Sequence, residues 1–235
     1  MSTSNGLPAP EHKTEFVRSM FDSIAHRYDL VNRVITLGLD RHWRKLAVSR
    51  LGLESSAVVL DLGCGTGDLM REANRAALVC IGLDISFEML LAARGLRESV
   101  VEADAQELPI RSNSIDGVIS GFALRNFTDL RKVFQEVGRV LVPGGRFVIL
   151  EVDLPSHALL RLGHRIWFNR VVPVIGAFFS DGAAYRYLPK SVAYLPSTND
   201  LHTMLMRSGF CDISRQQLQG GLAQIIVATK ERGKE

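Results

Sequence analysis

The stretch AVVLDLGCGTGD, residues 57–68, joins a short apolar run to a turn that contains three glycines. The run is rich in β-branched residues and predicts a buried strand over 57–62, with a helix from about Asp68. Open α/β sheets bind their ligands at such a turn, beyond the carboxyl end of the strand. Glycine allows the sharp turn and leaves no Cβ between the backbone and a ligand. The stretch therefore predicts a ligand-binding loop at the edge of an α/β sheet.

Strands and helices alternate after this loop. Strands are predicted at 78–83, 99–103, 115–120 and 147–151, and helices at 87–96, 130–141 and about 200–208. The segment LVPGGR, residues 141–146, is predicted as a loop between the second of these helices and its following strand. Two last extended runs, 213–218 and 223–229, are joined through Gly220-Gly221 and predict an antiparallel ending. This pattern predicts a parallel sheet sandwiched between helices.

The remaining segments divide the chain into one domain with two additions. Residues 1–13 are predicted as a flexible lead, and the single domain is expected to span 14–235. Apolar residues at helical spacing predict a helical cap over 14–52. Residues 154–196 interrupt the alternation with prolines and aromatic residues, so we interpret them as a helical lid insertion.

Composition excludes several classes of function. The 28 basic and 25 acidic residues are spread along the chain, which does not indicate a nucleic-acid partner. Three cysteines without a C-x-x-C pair, and six histidines without ligand spacing, predict no metal and favour a reducing cytoplasm. The longest uncharged apolar stretch, Val171–Phe179, is far shorter than the roughly 20 residues that a membrane span requires.

Acidic residues distinguish the loop from a dinucleotide site. A dinucleotide fingerprint needs a small residue at position 68, where a carboxylate would face the pyrophosphate, so the spacing argues against NAD and FAD. Asp84 and Asp104 close the next two predicted strands. Carboxylates at these points can accept hydrogen bonds from ribose hydroxyls and from the adenine amino group. The loop resembles the acidic glycine loop of class I methyltransferases, whose cofactor S-adenosylmethionine carries a positive sulfonium and no phosphate.

The chain resembles the menaquinone/ubiquinone biosynthesis C-methyltransferases from about residue 14 to 230. The resemblance is carried by VRSMFDSIAHRYDLVN (17–32), DLGCGTGD (61–68), ADAQELPI (103–110), GFALRNF (121–127), LVPGGRFVILEV (141–152), AYRYLPKSV (184–192) and QLQGGLAQIIVATK (217–230). It implies a class I S-adenosylmethionine-dependent methyltransferase fold of the Rossmann-like type. That fold has a seven-stranded, mostly parallel sheet with one antiparallel strand.

The resemblance also implies site residues. The cofactor-binding residues expected from it and from the loop are Asp61, Gly63, Gly65, Thr66, Asp84, Asp104, Ala105 and Gly121. Many family members have a serine at position 121, so that contact would be lost or made by the backbone. The implied catalytic residues are Arg125, Asn126 and Tyr28. Because arginine has a pKa above about 12, Arg125 is expected to stabilise an oxyanion instead of acting as a base.

The resemblance implies methyl transfer to a ring carbon of a prenylated quinol, with demethylmenaquinol preferred. A polyprenyl benzoquinol, another small molecule, and a non-catalytic cofactor-binding subunit stay open as alternatives. The fourth strand lacks the N-P-P-Y and D-P-P-Y motifs of exocyclic-amine methyltransferases, which again argues against nucleic acid. Arginines among apolar residues in the insertion are compatible with peripheral docking on the inner face of a membrane. A homodimer also stays open.

Overall fold

The computed structural model describes residues 10–96, 99–153, 155, 161–163, 170, 187 and 191–233. Helices lie at α1 (Pro10–Ile24), α2 (Tyr28–Ile35), α3 (Leu39–Leu51), α4 (Asp68–Arg75), α5 (Phe87–Ala92), α6 (Leu130–Val140) and α7 (Thr198–Arg207). Short 3-10 helices lie at Ala25–Arg27, Leu124–Asn126 and Val192–Tyr194. Strands lie at β1 (Val58–Leu62), β2 (Val79–Asp84), β3 (Val100–Glu102), β4 (Ile115–Gly121), β5 (Leu141–Val152), β6 (Phe210–Leu218) and β7 (Ala223–Lys230).

The described strands form one seven-stranded sheet in the order β3-β2-β1-β4-β5-β7-β6. Strands β1 to β5 pair in parallel, and β7 runs antiparallel to both β5 and β6. The predicted mostly parallel sheet with one antiparallel strand is therefore confirmed. Because β1 is central and the strand order reverses beside it, the turns after β1 and β4 open at the same edge.

Strand β5 begins earlier than the sequence pattern predicted. Residues 141–146 were expected to form a loop, but they form the first part of β5. Ile115 pairs with Leu141 and Gly117 pairs with Arg146, so the residues between Leu141 and Arg146 bulge out of the ladder. Gly144 within this bulge has φ +81°, a conformation that favours glycine. The Pro-Gly-Gly signal thus marks a bulge in a strand.

Both faces of the sheet are covered by apolar side chains. On one face, the Phe147 ring lies between those of Phe134 on α6 and Phe210 on β6, with both centroid distances 5.9 Å. All three phenylalanines are fully buried. On the other face, α3 and α4 pack against the sheet through Leu51 and Met70, which are also fully buried. The site edge is thereby held by a rigid scaffold.

Helix α1 crosses the edge where the parallel strands end. The Lys13 ammonium donates to the Phe127 carbonyl at 2.7 Å, and Ser86 donates to the Asp22 carboxylate at 2.6 Å. An apolar face that includes Val17 packs in the same cluster as Met89 of α5. The N-terminal helices therefore cover the carboxyl edge of the sheet.

Other boundaries differ from the sequence predictions or lie outside the described residues. Helix α1 begins at Pro10, inside the segment 1–13 that was expected to be a flexible lead. Helix α5 ends at Ala92 instead of residue 96, and the following turn contains Gly95 at φ +74°. Most of the predicted lid insertion, 154–196, lies outside the described residues. No helix in the described part of the chain is long and apolar enough to span a bilayer.

Candidate active site

The glycine loop after β1 is held against the end of β2 by its backbone. The N–H groups of Gly63 and Cys64 donate to the Leu83 carbonyl at 2.8 and 3.0 Å. Gly63, Gly65 and Gly67 have φ angles of +72°, +53° and +86°. Side chains rarely adopt such angles, so glycines are needed for the loop to turn from strand to helix within these few residues.

The loop after β4 packs directly on this glycine loop. A Cβ atom built on Gly63 would lie 2.7 Å from the Cβ of Ala123, which is closer than two carbon atoms approach. Phe122 has φ +59°, an uncommon angle for a bulky residue, and its ring lies 6.2 Å from that of Trp43. Strain of this kind is typical of functional sites, where the surrounding structure fixes it.

A pocket opens between these two loops, the ends of β2 and β3, and helix α1. Its apolar wall includes Val17, Phe21, Leu83, Ile85, Met89, Phe122 and Phe127, and its polar groups include Tyr28, Asp84, Asp104, Gln106 and Asn126. No lysine or arginine lines the pocket among the described residues. The pocket therefore combines acidic hydrogen-bond acceptors with an apolar surface and suits a cationic ligand that lacks phosphate.

Two acids line the pocket: Asp84 at the end of β2 and Asp104 just after β3. Backbone N–H groups hold their carboxylate oxygens in place. Asp84 accepts from the Gly65 N–H at 2.8 Å and from the Ser86 N–H at 2.9 Å, one bond to each oxygen. Burial raises the pKa of Asp84, although these N–H groups partly oppose the effect. Asp104 accepts from the Gln106 N–H at 2.9 Å. Each carboxylate keeps acceptor capacity for a ligand hydroxyl or amino group.

Asp61 lies at the end of β1 with both carboxylate oxygens buried and without a hydrogen-bond partner in the described structure. Burial raises the pKa of Asp61 to about 8, the Arg44 guanidinium lowers it, and Asp84 raises it further. A buried acceptor without a partner costs stability, so it calls for an explanation in function. A cationic ligand bound beside the loop would favour the ionised form of this carboxyl.

Tyr28 and Asn126 add further polar groups to the pocket lining, besides the acids Asp84 and Asp104. Burial raises the pKa of the Tyr28 phenol, while a hydrogen bond with Asn32 and the charge of Arg125 lower it. The phenol is therefore neutral near pH 7 and can donate a hydrogen bond. The Tyr187 hydroxyl donates to the side-chain oxygen Oδ1 of Asn126 at 3.4 Å.

Arg125 is buried in a network behind this wall. Its Nη1 atom forms a short ion pair with Glu151, which is 1% exposed, and its Nε atom donates to the Ser191 hydroxyl at 3.1 Å. The second carboxylate oxygen of Glu151 is buried without a hydrogen-bond partner. Arg125 is thus paired with a buried acid near the end of β5 and not with an acid on the surface.

The structure brings most of the predicted site residues together. Those that line the pocket are Gly63, Gly65, Asp84, Asp104, Ala105, Gly121, Tyr28 and Asn126. Three others, Asp61, Thr66 and Arg125, are not part of its lining. The Thr66 hydroxyl donates to Asp29 of α2 through a short hydrogen bond, so its contact is with the helical cap.

Sequence reasoning missed the apolar wall and one buried acid. Val17 and Phe21 lie on α1 at helical spacing, which reads as ordinary core packing, and Met89 gives the same signal on α5. Glu151 ends a strand in the same way as Asp61, Asp84 and Asp104, and this shared position was the available signal. Burial also raises the pKa of the Cys64 thiol well above its ordinary value, so that cysteine is not an activated nucleophile.

Comparison with known proteins identifies the family to which this geometry belongs. Residues 9–230 match the ubiE/COQ5 methyltransferase family. The chain belongs to this family. A protein of Thermus thermophilus named demethylmenaquinone methyltransferase is 40% identical over 221 residues, which cover 90% of this chain and 100% of the relative. A ubiquinone/menaquinone biosynthesis C-methyltransferase of Geobacter sp. is 38% identical over 94% of this chain and 99% of its own length.

Solved structures support the fold independently of close sequence similarity. A methyltransferase of Thermotoga maritima superposes with a TM-score of 0.64 at 19% identity, covering 92% of this chain and 100% of that chain. A phosphoethanolamine N-methyltransferase of Haemonchus contortus, solved with S-adenosyl-L-methionine, gives a TM-score of 0.58 at 19% identity and covers 80% and 52% of the two chains. The chain has the class I methyltransferase fold.

Membership of the ubiE/COQ5 family makes the protein an S-adenosylmethionine-dependent C-methyltransferase, and the pocket fits that cofactor. Among the described residues, the lining contains acids but no lysine or arginine, which suits a sulfonium and would repel a pyrophosphate. Asp84 and Asp104 would hold the adenosine portion, and Gly63 and Gly65 leave room for the backbone to approach it. The unpartnered Asp61 carboxyl lies behind the loop and would supply negative charge once a bound cation favours its ionised form.

We predict that Gly63→Ala weakens S-adenosylmethionine binding by about tenfold or more, since about 1.4 kcal/mol of misfit is sufficient for that change. The new methyl group would push Ala123 and the loop apart. Gly38→Ala is the matched control because Gly38 has φ +76° but no atom within 4 Å of an added Cβ. Calorimetry of both variants measures the effect. Equal affinities in the two variants would show that the loop contact is unimportant.

We also predict that cofactor binding releases a proton from Asp61. The pKa of about 8 lies above the ordinary 3.8, so the free protein loses stability as the pH rises between these values. A bound cation favours the carboxylate, so S-adenosylmethionine affinity should rise between about pH 6 and pH 8. Calorimetry in buffers of different ionisation enthalpy measures the released proton. Asp61→Asn should abolish the release, and release that persists in this variant would assign the proton elsewhere.

Proposed function

We propose that this chain transfers the methyl group of S-adenosylmethionine to a ring carbon of a prenylated quinol, with demethylmenaquinol as the substrate. The observation that carries the proposal is the joining of an acidic cofactor wall and an apolar wall in one pocket, with Tyr28 and Asn126 beside them. Relatives named demethylmenaquinone methyltransferase, from Roseiflexus castenholzii and Thermus thermophilus, support the naphthoquinol. The Geobacter relative, whose name includes both quinones, supports a polyprenyl benzoquinol as the second candidate.

The pocket residues act by aligning the quinol and stabilising its oxyanion. When bound, the cofactor would supply the methyl group as an electrophile: the S–C bond breaks as the C–C bond forms, the sulfur becomes a neutral thioether, and the ring carbon then loses its hydrogen as a proton. A quinol carbon becomes nucleophilic as the ring oxygen loses its proton, so an ionised quinol needs hydrogen-bond donors beside that oxygen. The neutral Tyr28 phenol and the Asn126 amide are such donors. Alignment of the reacting groups contributes roughly 7–11 kcal/mol in well-oriented reactions.

Arg125 provides the positive charge for this step in our proposal. The Arg125 guanidinium lowers the pKa of Tyr28, so its positive charge acts on a residue of the pocket lining. Arg125 itself is not part of that lining. Arg125 cannot accept the proton because it stays protonated. A water molecule ordered by Tyr28 and Asn126 is the proton acceptor that we propose.

The prenyl tail of the substrate is the basis for a location at the membrane surface. A quinol with such a tail resides in a bilayer, so we propose that the protein works from the cytoplasm on the inner face of the membrane. The apolar residues of the insertion that are expected to dock there, such as Trp167 and Phe168, are interspersed with arginines and lie outside the described residues. Liposome co-sedimentation tests this part, and failure to pellet with anionic vesicles would contradict it.

A direct assay tests the reaction. Purified protein is incubated with methyl-labelled S-adenosylmethionine and either a reduced prenylated naphthoquinol or a reduced prenylated benzoquinol. We expect methylated naphthoquinol as the main product, with the benzoquinol slower by about tenfold or more, which corresponds to about 1.4 kcal/mol of discrimination. Oxidised quinones serve as controls because they lack the hydroxyl group whose deprotonation makes the ring carbon nucleophilic. Cofactor binding without transfer to either quinol would refute the proposal.

A second experiment separates the charge of Arg125 from its structural role. Arg125→Gln alone leaves Glu151 charged and buried, which should cost about 3–5 kcal/mol of stability. Adding Glu151→Gln removes that charge, so the double variant should regain most of the lost stability, measured by chemical denaturation. We expect its turnover to stay about 100-fold or more below the wild type, with cofactor affinity nearly unchanged. Wild-type turnover in the double variant would remove Arg125 from the reaction.

A further inference from the structure

A basic cleft lies outside the cofactor pocket, between α2, α3 and α4. Five arginines and three acids line it: Asp29, Arg33, Arg41, Arg44, Asp68, Arg71, Glu72 and Arg75. The cleft borders the cofactor loop, where the Thr66 hydroxyl donates to Asp29 and where Asp68 follows Gly67. None of its lining residues lines the cofactor pocket, so it is a separate feature of the surface.

All three acids of the cleft already have partners. Asp29 accepts from Thr66. Asp68 pairs with Arg44 at 3.6 Å and with Arg71 at 3.3 Å. Glu72 forms a short ion pair with Arg75. Arg44 is held in addition by a short ion pair with Asp40 of the same helix.

Two arginines are left over. Arg33, in the last turn of α2, and Arg41, near the start of α3, have no acidic partner among the described residues. The Nε atom of Arg33 is buried and has no hydrogen-bond acceptor. A buried N–H group without an acceptor is unfavourable, whereas an exposed guanidinium is satisfied by water. The cleft therefore lacks an acceptor at a defined buried atom, a feature that the exposed arginines elsewhere do not share.

We propose that this cleft binds a phosphate oxyanion, either free phosphate or the headgroup of a phospholipid. The guanidinium fork of arginine matches the oxygens of phosphate, and two forks from separate helices can hold one tetrahedral group. Asp68 and Glu72 are paired with arginines, whereas Asp29 is held only by the neutral Thr66 hydroxyl. The five arginines of the cleft outnumber its three acids, so the cleft keeps a net positive charge. The methyl donor carries no phosphate, so this ligand is distinct from the cofactor. Phosphate binding in the cleft does not depend on which quinol is the substrate.

Calorimetry with inorganic phosphate tests the site on the full chain. We expect the double variant Arg33→Gln/Arg41→Gln to bind phosphate about tenfold or more weakly than the wild type, because two charge-assisted contacts are removed. The matched control is Arg111→Gln/Arg207→Gln, which removes the same charge from exposed positions outside the cleft. S-adenosylhomocysteine binding is measured in every variant, and unchanged affinity shows that the fold and the cofactor pocket are intact.

Vesicles distinguish the two sources of phosphate. Phosphatidylglycerol vesicles are compared with vesicles that carry the same negative charge as oleate in phosphatidylcholine. Loss of phosphatidylglycerol binding in the cleft variant, without a change toward oleate vesicles, identifies the headgroup as the ligand. Loss of inorganic phosphate binding alone identifies the free ion. The proposal is overturned if the wild type binds neither ligand, if the cleft variant binds as the wild type does, or if oleate vesicles behave like phosphatidylglycerol.

Discussion

The close contact between Gly63 and Ala123 is the constraint on which the site depends. Parallel pairing of β1 with β4 brings the loops after these strands to one edge, and the Ser120 hydroxyl fixes that edge by donating to the Leu62 carbonyl at 2.7 Å. Only a residue without a Cβ fits between them at position 63. The cofactor loop and the loop that carries Arg125 and Asn126 are therefore a single packed unit, and neither can shift without the other.

The same edge concentrates negative charge in a poorly hydrated place. Burial raises the pKa values of Asp61 and Asp84. The charge of Asp84 raises that of Asp61 further, and the charge of Asp22 raises that of Asp84. Such an arrangement lowers the stability of the free protein, because desolvated like charges repel. A cationic ligand reverses the balance, since it interacts favourably with every one of these carboxylates. The acids that recognise the ligand thus reduce the stability of the free protein, which is the usual pattern at functional sites.

Local sequence signals predicted the parts of the fold and site that depend on neighbours in the chain. The glycine loop and the strand-end positions of Asp84 and Asp104 follow from short patterns, and the structure places them around one pocket. The start of β5 was missed because the Pro-Gly-Gly signal of a turn is compatible with a bulge, and pairing with β4 decides between them. The apolar wall was missed because Val17 and Met89 meet only when α1 packs on α5. Contacts between segments that are far apart in the chain produce no local periodicity in the sequence.

The network around Arg125 shows why the site cannot be assigned to the methyltransferase core alone. Glu151 belongs to β5, but Ser191, which accepts from the Arg125 Nε atom, lies near the end of the predicted insertion, 154–196. Tyr187 contacts Asn126 from the same region of the chain. The adjacent residues Arg125 and Asn126 of the loop after β4 are thus contacted by two described residues of the insertion, Ser191 and Tyr187. Since these contacts hold the side chains of Arg125 and Asn126, Ser191 and Tyr187 also help to set the geometry of the groups that act on the quinol in the proposed reaction.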